Sequence, residues 1–210
     1  MIPATLGAEL SIQLAKLHLT HVVVPTDPTA VVARGLLTTL AHLVPAPAND
    51  VLAAIEASAE RVSTTFPTPV GTVIMLSKAA VADPITFCAT VAHEHQHAVQ
   101  IAKRGGFGAA VDYLESGELR ARAEADAYAV GVAVRWMLTG QLPTLDQALA
   151  PEASGLYHLS AGDLELARGV LASHLETMHA GLLPPLSVAR EVHAWLASAH
   201  PEALAVVVSP

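Results

Sequence analysis

Cysteine is almost missing from this chain. Cys88 stands alone, which excludes an intrachain disulfide and any zinc site built only from thiolates. Aromatic residues make up just 4% while apolar residues reach 52%, so Ala, Leu and Val must fill the core. That mixture favours closely packed helices over a sheet-rich fold. Basic residues are also few: 11 Lys and Arg stand against 19 Asp and Glu, a formal net charge of −8, and no basic run appears. Nucleic acid and anionic membrane are therefore not expected as partners. No apolar run reaches the ~18–20 residues that cross a bilayer, and the longest candidate, 130–138, is broken by Arg135. The N-terminal residues Met1 to Thr5 lack the basic start and apolar stretch of a signal peptide. The expectation is a cytoplasmic protein, with its 210 residues in a single domain, 1–210.

Helix starts are the clearest local signals. Asp27-Pro28 and Asp83-Pro84 each set a capping carboxylate before a proline at the first helical position. Asn49-Asp50 opens a segment running to about Arg61. Ser160 with Asp163 resembles a capping box, and the helix it starts would end near Ala180, with Gly181 as its cap. Two β-rich stretches stand out, Thr20 to Val24 and Gly71 to Leu76. A long helix is predicted from about Pro84 to Arg104, ended by Gly105-Gly106. A loop to Gly117 follows, then a helix from about Glu118 to Leu138 with Ser116 as N-cap. The fold class is α+β, mostly helical, with a small sheet.

The first helix of that pair carries His93-Glu94-His95-Gln96-His97, an HExxH pattern. Residues four apart on a helix differ by about 40° around its axis, so His93 and His97 can grip one metal ion. Glu94 falls about 100° from His93 and about 60° from His97, beside the pair, where it can take a proton from water without binding the metal. His95 projects about 160–200° away, with Val91, Ala98 and Val99, and reads as a packed, hydrogen-bonded core histidine. Gln100, two turns from His93, either lines the cleft or caps its rim.

A catalytic zinc ion usually takes a third protein ligand. The later helix offers Glu118, Glu124 and Asp126. Glu118, Arg122 and Asp126 are spaced four apart as a ladder of alternating charge, the pattern of a solvated face. Glu124 lies on a different face, with Arg120, Tyr128, Gly131 and Arg135, and Gly131 would let another helix approach closely. Glu124 is the first choice for ligand, Glu118 the second and Asp126 the third. The competing role for Glu124 is a salt bridge to Arg120.

With these residues in place, the chain resembles the gluzincin type of HExxH metallopeptidase, and most of all its small bacterial and phage-borne members. GTVIML, HEHQHAVQ and Glu124-Ala125-Asp126-Ala127 correspond to an edge strand, an HExxHxxQ helix and a later Glu-x-x-Ala helix. The resemblance covers about 70–135. It implies a zincin-like core at 64–140, between helical parts at 1–63 and 141–210. It also implies a Zn2+ cofactor, a peptide or protein substrate, and a Tyr or His that steadies the oxyanion, for which Tyr128, Tyr157 and His158 are candidates. The chain departs from relatives whose later helix reads Glu-x-x-x-Asp: Arg122 stands four before Asp126, and Tyr128 four after Glu124.

The expected function is a zinc metallopeptidase, with His93, His97 and Glu124 as metal ligands and Glu94 as general base. The strand Gly71 to Leu76 could pair with an extended substrate at a sheet edge. The alternatives are a non-catalytic zinc-binding regulator on the same scaffold, a metal-free helical interaction protein, and a hydrolase of non-peptide amides.

Overall fold

Asp83 begins the helix on which everything else is built. Its backbone is extended and its Oδ1 accepts the Thr86 N–H at 2.9 Å, with Pro84 at the first helical position. The computed structural model describes residues 2–30, 63–68, 71–153, 157–206 and 208, and this helix, Pro84–Arg104, runs through its middle. Gly105 ends it at φ +94°, a left-handed conformation that costs a glycine nothing.

In chain order the described helices are α1 (Leu6–His18), α2 (Pro84–Arg104), α3 (Phe107–Glu115), α4 (Gly117–Thr139), α5 (Leu145–Ala153), α6 (Ala161–His179) and α7 (Ser187–Ala199). The strands are β1 (Thr20–Val23), β2 (Thr64–Thr68) and β3 (Gly71–Met75). The fold is α+β and mostly helical, with a three-stranded sheet in the order β1-β3-β2. β1 runs parallel to β3, pairing His21 with Val73, and β2 runs antiparallel to it, pairing Thr65 with Ile74.

α4 lies across the centre, against α2 on one side and α6 on the other. Ala121, Ala125, Ala127, Ala129 and Ala133 are all fully buried along it. Alanine costs little side-chain entropy in a helix and keeps neighbouring axes close, so this helix can be covered on nearly every face. At Gly131 a Cβ would stand 3.4 Å from the Ala89 carbonyl oxygen and 3.8 Å from His93 Cβ. There is room for a methyl at most, so a small residue at 131 lets α4 approach α2 beside the HExxH turn.

Three expectations change. The stretch from Gly105 to Gly117 holds α3 rather than a loop. The strand Gly71–Met75 is the middle strand, so both of its sides are already paired, and it has no free edge for an added chain. The strand next to the HExxH helix is β2, Thr-Thr-Phe-Pro-Thr. Pro67 conceals it in the sequence, because proline lacks a ladder donor and is tolerated only at such an edge. The capping box at Ser160 and Asp163 forms reciprocally, at 3.2 and 3.0 Å. α6 ends one residue earlier than expected, with Ala180 as its C-cap and Gly181 beyond it at φ +79°. The helices expected after Asp27-Pro28 and from Asn49 to Arg61 lie outside the described residues, save that Asp27 Oδ1 accepts the Thr29 N–H at 2.8 Å. No described helix is long and apolar enough to cross a membrane.

Candidate metal centre

α2 delivers two imidazoles to one point. His93 Nε2 and His97 Nε2 lie 3.2 Å apart, a helical turn from each other on the side facing α4. α4 brings the third group: Glu124 is 2% exposed, with Oε1 3.3 Å from His97 Nε2 and Oε2 3.7 Å from His93 Nε2. A tetrahedral ion with bonds of ~2.0–2.1 Å needs ligand atoms about 3.3 Å apart. The three side chains meet that spacing, and they can hold a metal ion. A further sign is chemical. Glu124 Oε2 is buried with no hydrogen-bond partner among the described residues, a costly state for a carboxylate oxygen unless a cation satisfies it.

Two of the three are held from behind by hydrogen bonds. Gln100 donates its amide N–H to the Ala123 carbonyl at 3.0 Å, which fixes its Oε1 against His97 Nδ1 at 2.9 Å. His97 therefore carries its proton on Nδ1 and can offer the Nε2 lone pair to a metal. The His93 ring packs edge-on against the Tyr128 ring, with centroids 4.7 Å apart. The Tyr113 hydroxyl donates to Glu124 Oε1, which leaves Oε2 as the free oxygen.

Without a cation the cluster sorts its own charges. Burial, reinforced by the neighbouring His97, pushes His93 down to about 3. Burial acts in the same direction on His97, but the Glu124 carboxylate outweighs it and holds His97 up to about 9. Glu124 in turn resists burial and is kept well below the usual carboxylate range by His97. By their own electrostatics the three side chains form a neutral His93 beside a His97–Glu124 ion pair.

Glu94 stands next to this group, 4% exposed. The Thr65 hydroxyl of β2 donates to its Oε2 at 2.6 Å. Burial raises its carboxyl to about 7, against the opposing pull of His97 and Thr65. All four residues line one cavity of about 660 Å³, walled by β2, α2, α3, α4 and α5. Its wall is mostly apolar, and Gln147, Ala148, Pro151 and Tyr157 bring the C-terminal part of the chain into it.

The remaining expectations sort by position. Glu118 is exposed and pairs with Arg122 at 3.3 Å, as on a solvated face. Asp126 leaves that ladder and meets His174 of α6 at 2.9 Å. Neither approaches the two histidines. Arg120 makes no pair with Glu124: its guanidinium, 4% exposed, donates to the carbonyls of Tyr157, Tyr113, Leu114 and His158 at 2.7 to 3.4 Å. His95 is fully buried between Thr20 Oγ1 at 2.9 Å and the Val91 carbonyl at 2.7 Å. Gln100 lines the cavity. Of the oxyanion candidates, Tyr128 and Tyr157 line it as well, with hydroxyls 3.0 Å apart and the Tyr128 ring 4.7 Å from that of His93. His158 is exposed and does not line the cavity.

Sequence reasoning missed Tyr113 and Thr65. Each sits on an element that was not predicted, α3 and β2, and no spacing to the HExxH turn marks either. Comparison with protein-family models, curated proteins and solved structures finds no match to the chain.

Proposed function

We propose that the protein is a zinc-dependent metallopeptidase with a zincin-like core, in which His93, His97 and Glu124 hold the metal and Glu94 is the general base. The observation that carries this reading is the buried, unpartnered Glu124 Oε2 facing two imidazole Nε2 atoms. Two imidazoles and a carboxylate form a donor set common for catalytic zinc, and three protein ligands leave a coordination position open. A divalent cation held there supplies a water of lowered pKa and a Lewis acid for a carbonyl.

The chain's own residues do the rest. Glu94, with a carboxyl near neutrality and a free oxygen beside the Thr65-bonded one, takes the proton of the attacking water and hands it to the departing amine. Tyr128 and Tyr157, whose hydroxyls share a hydrogen bond in the same cavity, are the candidates to donate to an oxyanion. The sheet edge that β2 presents beside Glu94 offers main-chain pairing to an extended substrate.

Zinc quantification on wild type, Glu94→Gln and Glu124→Ala, together with peptide-library cleavage with and without chelator, tests this reading. We expect near-stoichiometric zinc in wild type and Glu94→Gln, and a large loss in Glu124→Ala. Hydrolysis should fall by about 10²–10⁴ in Glu94→Gln. Zinc bound with no chelator-sensitive cleavage would point instead to a non-catalytic zinc protein.

A further inference from the structure

Two arginines set the character of the cavity away from its centre. Apart from Glu94 and the metal-ligand candidates, Arg104 and Arg135 are the charged residues that line it among the described ones. Of the described arginines, Arg122 and Arg168 pair with carboxylates, at 3.3 and 3.0 Å. Arg104 and Arg135 have no carboxylate within ion-pair distance among the described residues. Arg135 donates only to the neutral hydroxyl of Thr86, at 3.0 Å, while its charge is felt more weakly by Asp83.

Their positions are symmetric about the centre. Thr86, which holds Arg135, lies seven residues before His93, and Arg104 lies seven after His97, so each is about 10 Å along the α2 axis from the nearer histidine. The cavity follows α2 from Thr86 to Arg104, a length of about 27 Å. A volume of about 660 Å³ runs along that length. It suits an extended chain of about eight residues at ~3.3 Å each. Ala89, Ala109, Ala110, Ala123, Gly131 and Ala148 in its wall leave room for large apolar side chains from a ligand.

We infer that this cavity takes an extended peptide with bulky apolar residues next to the hydrolysed bond and a carboxylate about three residues to either side, one against Arg135 and the other against Arg104. This rests on the peptidase reading and adds its substrate class. Rim arginines of this kind act chiefly on encounter and register, and salt weakens them.

The test is zinc-loaded wild type acting on capped, randomised peptides about ten residues long, with products sequenced by mass spectrometry. Leu, Phe or Met should dominate beside the cut. Asp and Glu should be enriched about five- to tenfold some three positions away, fading in about 0.5 M salt. Arg135→Glu should replace the acidic preference by a lysine preference at one end only, and Arg104→Glu at the other. Arg135→Gln should remove the preference without inverting it. Parallel sets with free carboxyl termini assign the carboxylate to a side chain or to the chain end. Cleavage with no acidic enrichment, or preferences untouched by both reversals, overturns this inference and leaves the peptidase standing. No chelator-sensitive cleavage of any peptide overturns both.

Discussion

At the scale of single residues, the centre depends on hydrogen bonds that lie behind His97 and Glu124. Tyr113 is the clearest case, because its hydroxyl decides which oxygen of Glu124 stays free. Tyr113→Phe keeps the ring and removes that donor. We expect zinc affinity to fall about 10- to 100-fold, measured by competition with a chelator of known affinity, while the far-ultraviolet circular dichroism stays unchanged. The charge pattern of the centre makes a second prediction. His97 holds a proton with a pKa raised to about 9 by Glu124, and a metal ion must displace it. Zinc binding at neutral pH should therefore release a proton, and affinity should climb as pH rises from 6 towards 9, then level off. Proton release followed by pH-stat titration checks the sign, and affinity independent of pH over that range would contradict the ion pair.

At the scale of elements, the close crossing of α2 and α4 decides whether His93 and His97 meet Glu124. Gly131 sits at that crossing, and the contrast between two substitutions is informative. An alanine Cβ would touch the Ala89 carbonyl oxygen at 3.4 Å, an ordinary contact, while alanine gains up to ~1 kcal/mol of helix propensity over glycine. Gly131→Ala should be neutral or slightly stabilising. Gly131→Val adds two branches to the same contact and should cost about 1–3 kcal/mol by overpacking, with a parallel loss of zinc affinity as the helices separate. Urea unfolding of both variants, with and without zinc, separates the two effects. The helices themselves were legible because their ends are written in local chemistry: Asp83-Pro84, Ser116, Ser160 with Asp163, and Gly105 all act within one turn. α3 and β2 were not legible. The nine residues of α3 begin directly after two glycines that read as a turn, and β2 is five residues with a proline inside.

At the scale of the whole molecule, the lone cysteine reports on global unfolding. Cys88 is 1% exposed, and burial raises its thiol to about 12. Below about pH 8.5 the thiol is protonated in both folded and unfolded chains and has no effect on the balance. Above that value the unfolded chain ionises while the folded one does not, so stability falls as pH rises from about 9 towards 12, by at most ~1.4 kcal/mol per unit. Urea midpoints for wild type should drop across this range more steeply than those for Cys88→Ala. The native thiol should also resist alkylation at pH 8 until denaturant is added.

The spacing of His93, Glu94 and His97 was settled by the sequence alone, because an α-helix of known pitch turns a four-residue interval into two side chains on one face. The helix caps, the buried place of His95 and the mostly helical class came from equally local rules. Partners across the fold were open to no such rule. That Glu124 rather than Glu118 or Asp126 meets the two histidines, that Arg120 turns to four carbonyls, and that Tyr113 and Thr65 close on two carboxylates were decided only when α4, α3 and β2 packed against α2. Those contacts join residues 6 to 38 positions apart on separate segments, and their geometry follows from how close neighbouring axes can come, which no single segment determines.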